Sequence, residues 1–284
     1  MEYEDYQQYL NENYSPGTAK RYLFALKRYL SKSGNKTATY SQIMDYLGWL
    51  RKHQTSVRVD LHAIKSYYNY LVKTGQRADN PAQSIRLRDQ TSRDIQLQDL
   101  FTPEELERLL NREERYPILK HRNKIIISLL IYQGLQTGEI KRLELSDLDL
   151  EAGTIEIKAS RKSNGRVLKL RANQVYWLIN YIEKDRKELL KAETNRLVIS
   201  KIGKEESGEG ISYLVHTMQY LYPNKELTPK TIRQSVIANL LKSGQDLRLV
   251  QVYAGHKYPS STERYRQNDV EELKDEVLKY HPLG

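Results

Sequence analysis

The sequence contains no cysteine, only two phenylalanines, and no apolar run approaching the length of a membrane span. Without cysteine there is no disulfide, no thiolate nucleophile and no cysteine-based zinc site. The six histidines fall at no metal-ligand spacing such as His-Glu-x-x-His, so neither a metal nor another cofactor is expected. The N-terminus is acidic and rich in tyrosine rather than signal-like, which points to a soluble cytoplasmic protein with no membrane partner. Tyrosine, at 22 residues, takes the core positions that phenylalanine leaves vacant, so any single tyrosine is structural by default.

Positive charge is plentiful and unevenly placed. The chain of 284 residues carries a net +10, which favours a polyanionic partner. Residues 1–13 hold four acids and no base, and residues 14–90 hold fourteen bases against four acids. Residues 91–284 are close to balanced, at +4. The electrostatic footprint of a phosphate-gripping surface thus lies early in the chain.

Periodicity divides the chain in two. Ser15-Pro16 opens a helix as N-cap and first residue, and Tyr22, Leu26, Tyr29 and Leu30 follow at helical spacing. Two further stripes, Ile43 to Leu50 and Leu61 to Leu71, complete a helical bundle over residues 1–88, the second ending near Gly75. Such stripes leave Lys20, Arg21, Lys27 and Arg28 free to face DNA. Residues 89–101 lack a sustained period and read as a linker. Thr102-Pro103-Glu104-Glu105 restarts helix with a capping box and begins a second domain over 102–284. There, an apolar helix is expected over 123–133, and a hairpin from Thr154–Lys158 and Arg166–Leu170 around Asn164-Gly165. Helices return at 174–190, 211–221 and 228–244, with short ones after Asp246 and Asp269. The fold class is therefore mainly α with a small antiparallel sheet.

The second domain carries an ordered set of motifs. Thr228-Pro229-Lys230-Thr231-Ile232-Arg233 is followed by Leu240 to Gln251, reading LLKSGQDLRLVQ, then Gly255-His256, then Ser261-Thr262-Glu263-Arg264-Tyr265. Earlier stands Gly134-Leu135-Gln136-Thr137-Gly138-Glu139-Ile140. Together these resemble the signature of the tyrosine recombinases (phage integrases), especially the Xer-like branch, over residues 102 to about 268. The resemblance implies a helical core-binding domain ahead of a catalytic domain, the two closing around double-stranded DNA. It also implies site-specific cleavage and rejoining through a 3′-phosphotyrosine, by four protomers (a homotetramer or heterotetramer) at two sites on nucleoid-associated DNA.

Cleaving a phosphodiester requires a nucleophile, charge neutralisation in the transition state and an acid for the leaving oxygen. By the family register Tyr265, nine residues beyond His256, is the nucleophile; Tyr258 stands too close to that histidine. Arg233 is the planar two-pronged clamp for the phosphate oxygens. Lys230, where the family usually has histidine, and His256 donate to the same phosphate. Lys162, in the hairpin loop, stands where the resemblance implies the lysine that protonates the leaving 5′-oxygen, while Arg161 and Arg166 beside it read as contacts to the DNA backbone. Glu139 stands where, as the resemblance implies, a carboxylate buttresses the site.

One residue departs from the pattern. Gln136 stands where the family has the first of its two phosphate-binding arginines, and no arginine is in an obvious compensating register, Arg142 lying a turn and a half further along. A catalytically impaired or purely DNA-binding relative is therefore the alternative. A type IB topoisomerase shares the chemistry, but the compact N-terminal bundle and the Xer-like signature argue against it.

Overall fold

The computed structural model describes residues 2–32, 35–53, 57–87, 95 and 99–265, and the chain divides into two units, Met1–Ser92 and Arg93–Gly284. The first unit comprises α1 (Glu2–Asn13), α2 (Pro16–Lys32), α3 (Tyr40–His53) and α4 (Arg58–Lys73). The helix α1 has no strong apolar period and escapes the sequence reading; it is held by Tyr6 and Leu10, both fully buried. Gly75, at φ +70°, ends α4 as expected.

Tyrosine builds this core. Tyr6, Tyr29, Tyr46, Tyr67, Tyr68 and Tyr70 pack with Leu26, Ile43, Leu50, Ile64 and Leu71, with Trp49 at the margin. Tyr6 meets Tyr67 edge-on at 5.5 Å, a geometry that the ring quadrupoles favour. Two of the hydroxyls satisfy each other within the core: Tyr68 Oη donates to the Asn35 carbonyl at 2.8 Å and lies 2.8 Å from Tyr29 Oη. Burying a phenol without such a partner would cost about 1–3 kcal/mol.

Lys20, Arg21 and Lys27 are exposed on α2, as the stripe predicts. Arg28 is a correction. It donates to the buried carboxylate of Asp60 at 2.5 Å, and its guanidinium lies over the Phe24 ring, so it is not free to face DNA.

The second unit contains α5 (Pro103–Arg108), α6 (Lys120–Tyr132), α7 (Thr137–Arg142), β1 (Leu148–Asp149), β2 (Thr154–Ile157), β3 (Arg166–Lys169), α8 (Ala172–Asn180), α9 (Arg186–Leu189), α10 (Gly208–His216), α11 (Pro229–Lys242), α12 (Leu247–Ala254) and α13 (Ser260–Glu263). A π-helical turn, Tyr181–Asp185, joins α8 to α9. The helix α6 runs through the core, burying Ile125 to Ile131 on nearly every side, with Trp177 packed at the margin. The fold is mainly helical with one three-stranded antiparallel sheet in the order β1-β2-β3. The strands β2 and β3 pair from Thr154↔Lys169 to Ile157↔Arg166, as the alternation predicts, while β1 is too short to show in the sequence.

Two boundaries differ from the sequence reading. The linker expected over 89–101 is shorter at its C-terminal end: Ile95 and Leu100 pack against Ile237, Val250 and Tyr265. Phe101 is buried in the main core, its N–H donating to Ser235 Oγ at 2.9 Å. Asn164-Gly165 does not form the hairpin tip either. The tight turn is Ser160–Ser163, closed by a 2.8 Å backbone bond, and Asn164 instead bonds the Gly255 carbonyl at 2.9 Å. The helix expected after Asp269 lies outside the described residues. Among the described residues no helix is long and apolar enough to cross a membrane.

Candidate active site

Two left-handed glycines and one helix start shape the site. Gly134, at φ +59°, turns the chain from α6 into α7, and Gly255, at φ +68°, ends α12. Each turn directs a carbonyl at Arg233, which stands in the second turn of α11. Arg233 Nη1 donates to the Gly134 carbonyl and Nη2 to the Ala254 carbonyl, both at 2.5 Å. The guanidinium is buried, and burial pulls its pKa down from the usual arginine value, with Glu139 opposing.

The start of α11 suits an anion. Thr228 caps it, its side chain accepting from Thr231 N–H at 3.1 Å, and Pro229 takes the first helical position. The first turn holds no acid and carries Lys230, with Arg233 following at the fifth helical position, the reverse of the usual dipole preference. Cations set at the positive end of a helix dipole form a receptor for phosphate. Gln136, Thr137, Pro229, Lys230, Arg233, Gln234 and Tyr265 line one open cleft of about 330 Å³ there.

Glu139 lies beneath this cleft, its side chain almost wholly inaccessible. Arg166 grips it with both prongs, Nη1 to Oε1 at 2.8 Å and Nη2 to Oε2 at 3.1 Å. The Gln136 N–H adds a bond to Oε2 at 2.9 Å. Burial alone would raise the Glu139 pKa, but Arg166 and this N–H hold it below the usual carboxylate range. Arg166 is thus no contact to the DNA backbone as its neighbours in sequence imply; it is 7% exposed and points inward from β3.

His256 Nδ1 lies 2.8 Å from Thr262 Oγ1. Burial, then Arg233 and Arg166, push its pKa down to about 4, so the imidazole is neutral at pH 7. The Lys162 loop is fastened to the same turn by the Ser163↔His256 bridge and by Asn164 Nδ2 donating to the His256 carbonyl at 3.3 Å. Lys162 itself is exposed, as is Arg161, and neither lines the cleft. Tyr265 borders the cleft while its ring packs on Ile237, Val250 and Ala254. Burial raises its pKa, with Arg233 and then Arg264 opposing.

The structure therefore gathers Gln136, Lys230, Arg233 and Tyr265 around one cleft, with Glu139 below and His256 and Lys162 on adjoining turns. The sequence reading missed Thr262, which orients His256, and the true partner of Arg166. The period-2 alternation Arg166-Val167-Leu168 puts Arg166 on the buried face with Leu168, a signal that its loop neighbours obscured.

The comparisons agree with this fold. The phage integrase family model matches residues 99–272, and the model of the phage integrase N-terminal SAM-like domain matches residues 3–75. Tyrosine recombinase XerD of Oceanobacillus iheyensis is 29% identical over 281 residues, covering 94% of this chain and 93% of its own. Tyrosine recombinase XerA of Thermococcus kodakarensis is 28% identical, covering 95% and 92%. Among solved structures, the XerH site-specific recombinase bound to difH substrate aligns with a TM-score of 0.69 at 21% identity, over 90% of this chain and 78% of that one. With matching family models over both units, the chain belongs to the phage integrase family, the tyrosine-type DNA strand-transferases.

Proposed function

We propose that the chain is a site-specific recombinase that cuts and rejoins double-stranded DNA through a 3′-phosphotyrosine at Tyr265. The observation that carries this is the shared cleft, where a tyrosine borders a buried, permanently charged guanidinium at a helix start. Tyr265 Oη attacks the phosphorus, forming the tyrosyl–phosphate bond as the bond to the 5′-oxygen breaks. Arg233, Lys230 and His256 hold the non-bridging oxygens, and a proton from Lys162 leaves with the 5′-oxygen as a hydroxyl. Attack by another 5′-hydroxyl reverses these steps, so no metal or nucleotide is consumed. Neutral His256, its Nδ1 held by Thr262, takes the phenolic proton on Nε2 and then donates it as a hydrogen bond to a non-bridging oxygen. The core-binding domain grips phosphates with Lys20, Arg21 and Lys27, and the units assemble as a tetramer on two sites in nucleoid DNA.

The test uses a nicked duplex whose cleavage releases a short fragment and traps the covalent complex. The wild type forms the adduct, and Tyr265→Phe binds DNA equally but forms none; an adduct persisting in that variant refutes the assignment. Gln136 favours a second reading, a DNA-binding relative without chemistry, because it brings no charge to the cleft. That reading prevails if neither the wild type nor Gln136→Arg cleaves any duplex it binds.

A further inference from the structure

Gln136 is neutral, so the charge in the cleft depends on how the buried groups beneath it share one carboxylate. Glu139 sits between two arginines. Both its oxygens are occupied by Arg166, and Oε2 also accepts the Gln136 N–H. Arg233 Nη1 comes only within 4.0 Å of Oε2, and its hydrogen bonds go to carbonyls instead. Two buried cations and one buried anion leave a net positive charge, which resides on Arg233.

We propose that Arg166 is a positioning residue that holds Glu139 off Arg233, so that Arg233 keeps an uncompensated charge for the scissile phosphate. Without Arg166, the nearest cation for the buried carboxylate is Arg233, already at the limit of ion-pair distance. A closed Glu139–Arg233 pair would turn the guanidinium from the cleft and cancel its charge, leaving Lys230 as the remaining cation in the cleft lining. Two features show that Arg166 is not kept for stability alone. Its Nε is buried without a hydrogen-bond partner, a cost that an apolar residue would avoid. Its guanidinium also fills the space beside Gly255, where any Cβ would collide with it, so it touches the turn that carries His256. Arg166 thereby joins β3, α7 and the histidine turn through one side chain.

This inference rests on the recombinase reading, and two measurements separate their failures. The first is the rate of covalent-complex formation on nicked duplex, at DNA occupancy confirmed equal, for Arg166→Met, Arg166→Lys and Arg166→Met/Glu139→Gln. Removal of an organised charge costs on the order of 100-fold in rate, so Arg166→Met is expected to fall by about that factor and Arg166→Lys by less. Removing the carboxylate as well frees Arg233, and the double variant is expected to recover at least about tenfold over Arg166→Met. A purely structural arginine predicts the opposite, with the double variant no faster than the single. The second measurement needs no cleavage: the His256 titration followed by NMR in the free protein. Arg166→Met should move its midpoint up by about one pH unit, and the double variant, again bearing one net positive charge, should return it toward the wild type. A double variant that neither cleaves faster than Arg166→Met nor reverses the titration overturns the inference. A wild type that never cleaves defeats the functional reading, and the titration then decides this one.

Discussion

Replacing Gln136 by arginine adds a charge where the cleft has none. Gln136 borders the same cleft as Arg233 and Lys230, and its backbone is fixed by the bond to Glu139 at the start of α7. A guanidinium about 5 Å from a bound phosphate gains roughly 3 kcal/mol at an effective dielectric constant of about 20. Only the part expressed more strongly in the transition state accelerates cleavage. If half is so expressed the rate rises about tenfold, and if all is, by a few hundredfold. The exposure of Gln136 favours the lower part of that range, because solvent screens its substituent. The assay is single-turnover covalent-complex formation on nicked duplex, with protein saturating so that tighter binding is not read as faster chemistry. An unchanged or slower rate at equal occupancy would show that the site is organised around a neutral side chain, and the charge argument would fail.

Three other outcomes follow from the same geometry. Neutralising Lys20, Arg21 and Lys27 should lower the slope of log affinity against log salt by about 0.9 for each phosphate left without its cation, whereas Arg28→Ala should destabilise the first unit by stranding Asp60; unchanged slopes in the triple variant refute the assigned surface. Gly255→Ala forces an L-residue to φ +68° and into the Arg166 guanidinium, so it should cost clearly more than Gly75→Ala, where φ is +70° but nothing lies within 4 Å. The open site sets a baseline of roughly 1–2 kcal/mol, and equal losses of melting temperature would remove the crowding argument. His256 titrates at about 4 when folded and near 6.5 when unfolded, so the unfolded chain binds more protons between those values. Its contribution to stability is complete above about pH 6.5 and is lost as pH falls toward 4. Its partial exposure reduces the full linkage value of roughly 3 kcal/mol to about 1–2 kcal/mol. Denaturant titrations across this range should show that slope in the wild type and a shallower one in His256→Gln.

The parts legible in the sequence are those encoded by local rules. Pro229 after Thr228 marks the start of α11, the αL requirement marks Gly75 and Gly255, and the alternation of Ile155 and Ile157 exposes the strand β2. The register from Arg233 to Tyr265 carries the family. What stays hidden depends on pairs distant in the chain. Arg28 and Asp60 are separated by 32 residues, and Arg166 and Glu139 by 27, so no window along the sequence reveals which arginine is committed to a buried carboxylate. Arg142 is the arginine that the sequence offers along α7, whereas the cation that governs the charge beneath Gln136 comes across space from β3. The linker reads too long because Ile95, Leu100 and Phe101 are isolated apolar residues, and isolated residues have no period.

The tyrosine-built core also determines what light can report about this molecule. Trp49 lies at the edge of the first core and Trp177 at the edge of the second, and the sequence holds no other tryptophan. Each indole has a lysine ammonium near its ring, Lys32 at 5.0 Å and Lys124 at 5.3 Å from the centroid. With 22 tyrosines absorbing beside them, ordinary ultraviolet excitation averages over the whole chain. Red-edge excitation, which tyrosine does not absorb, isolates one emitter per unit. Silencing either with phenylalanine makes the remaining emission a record of a single unit, and the loosening of each half can be timed separately without attaching a dye.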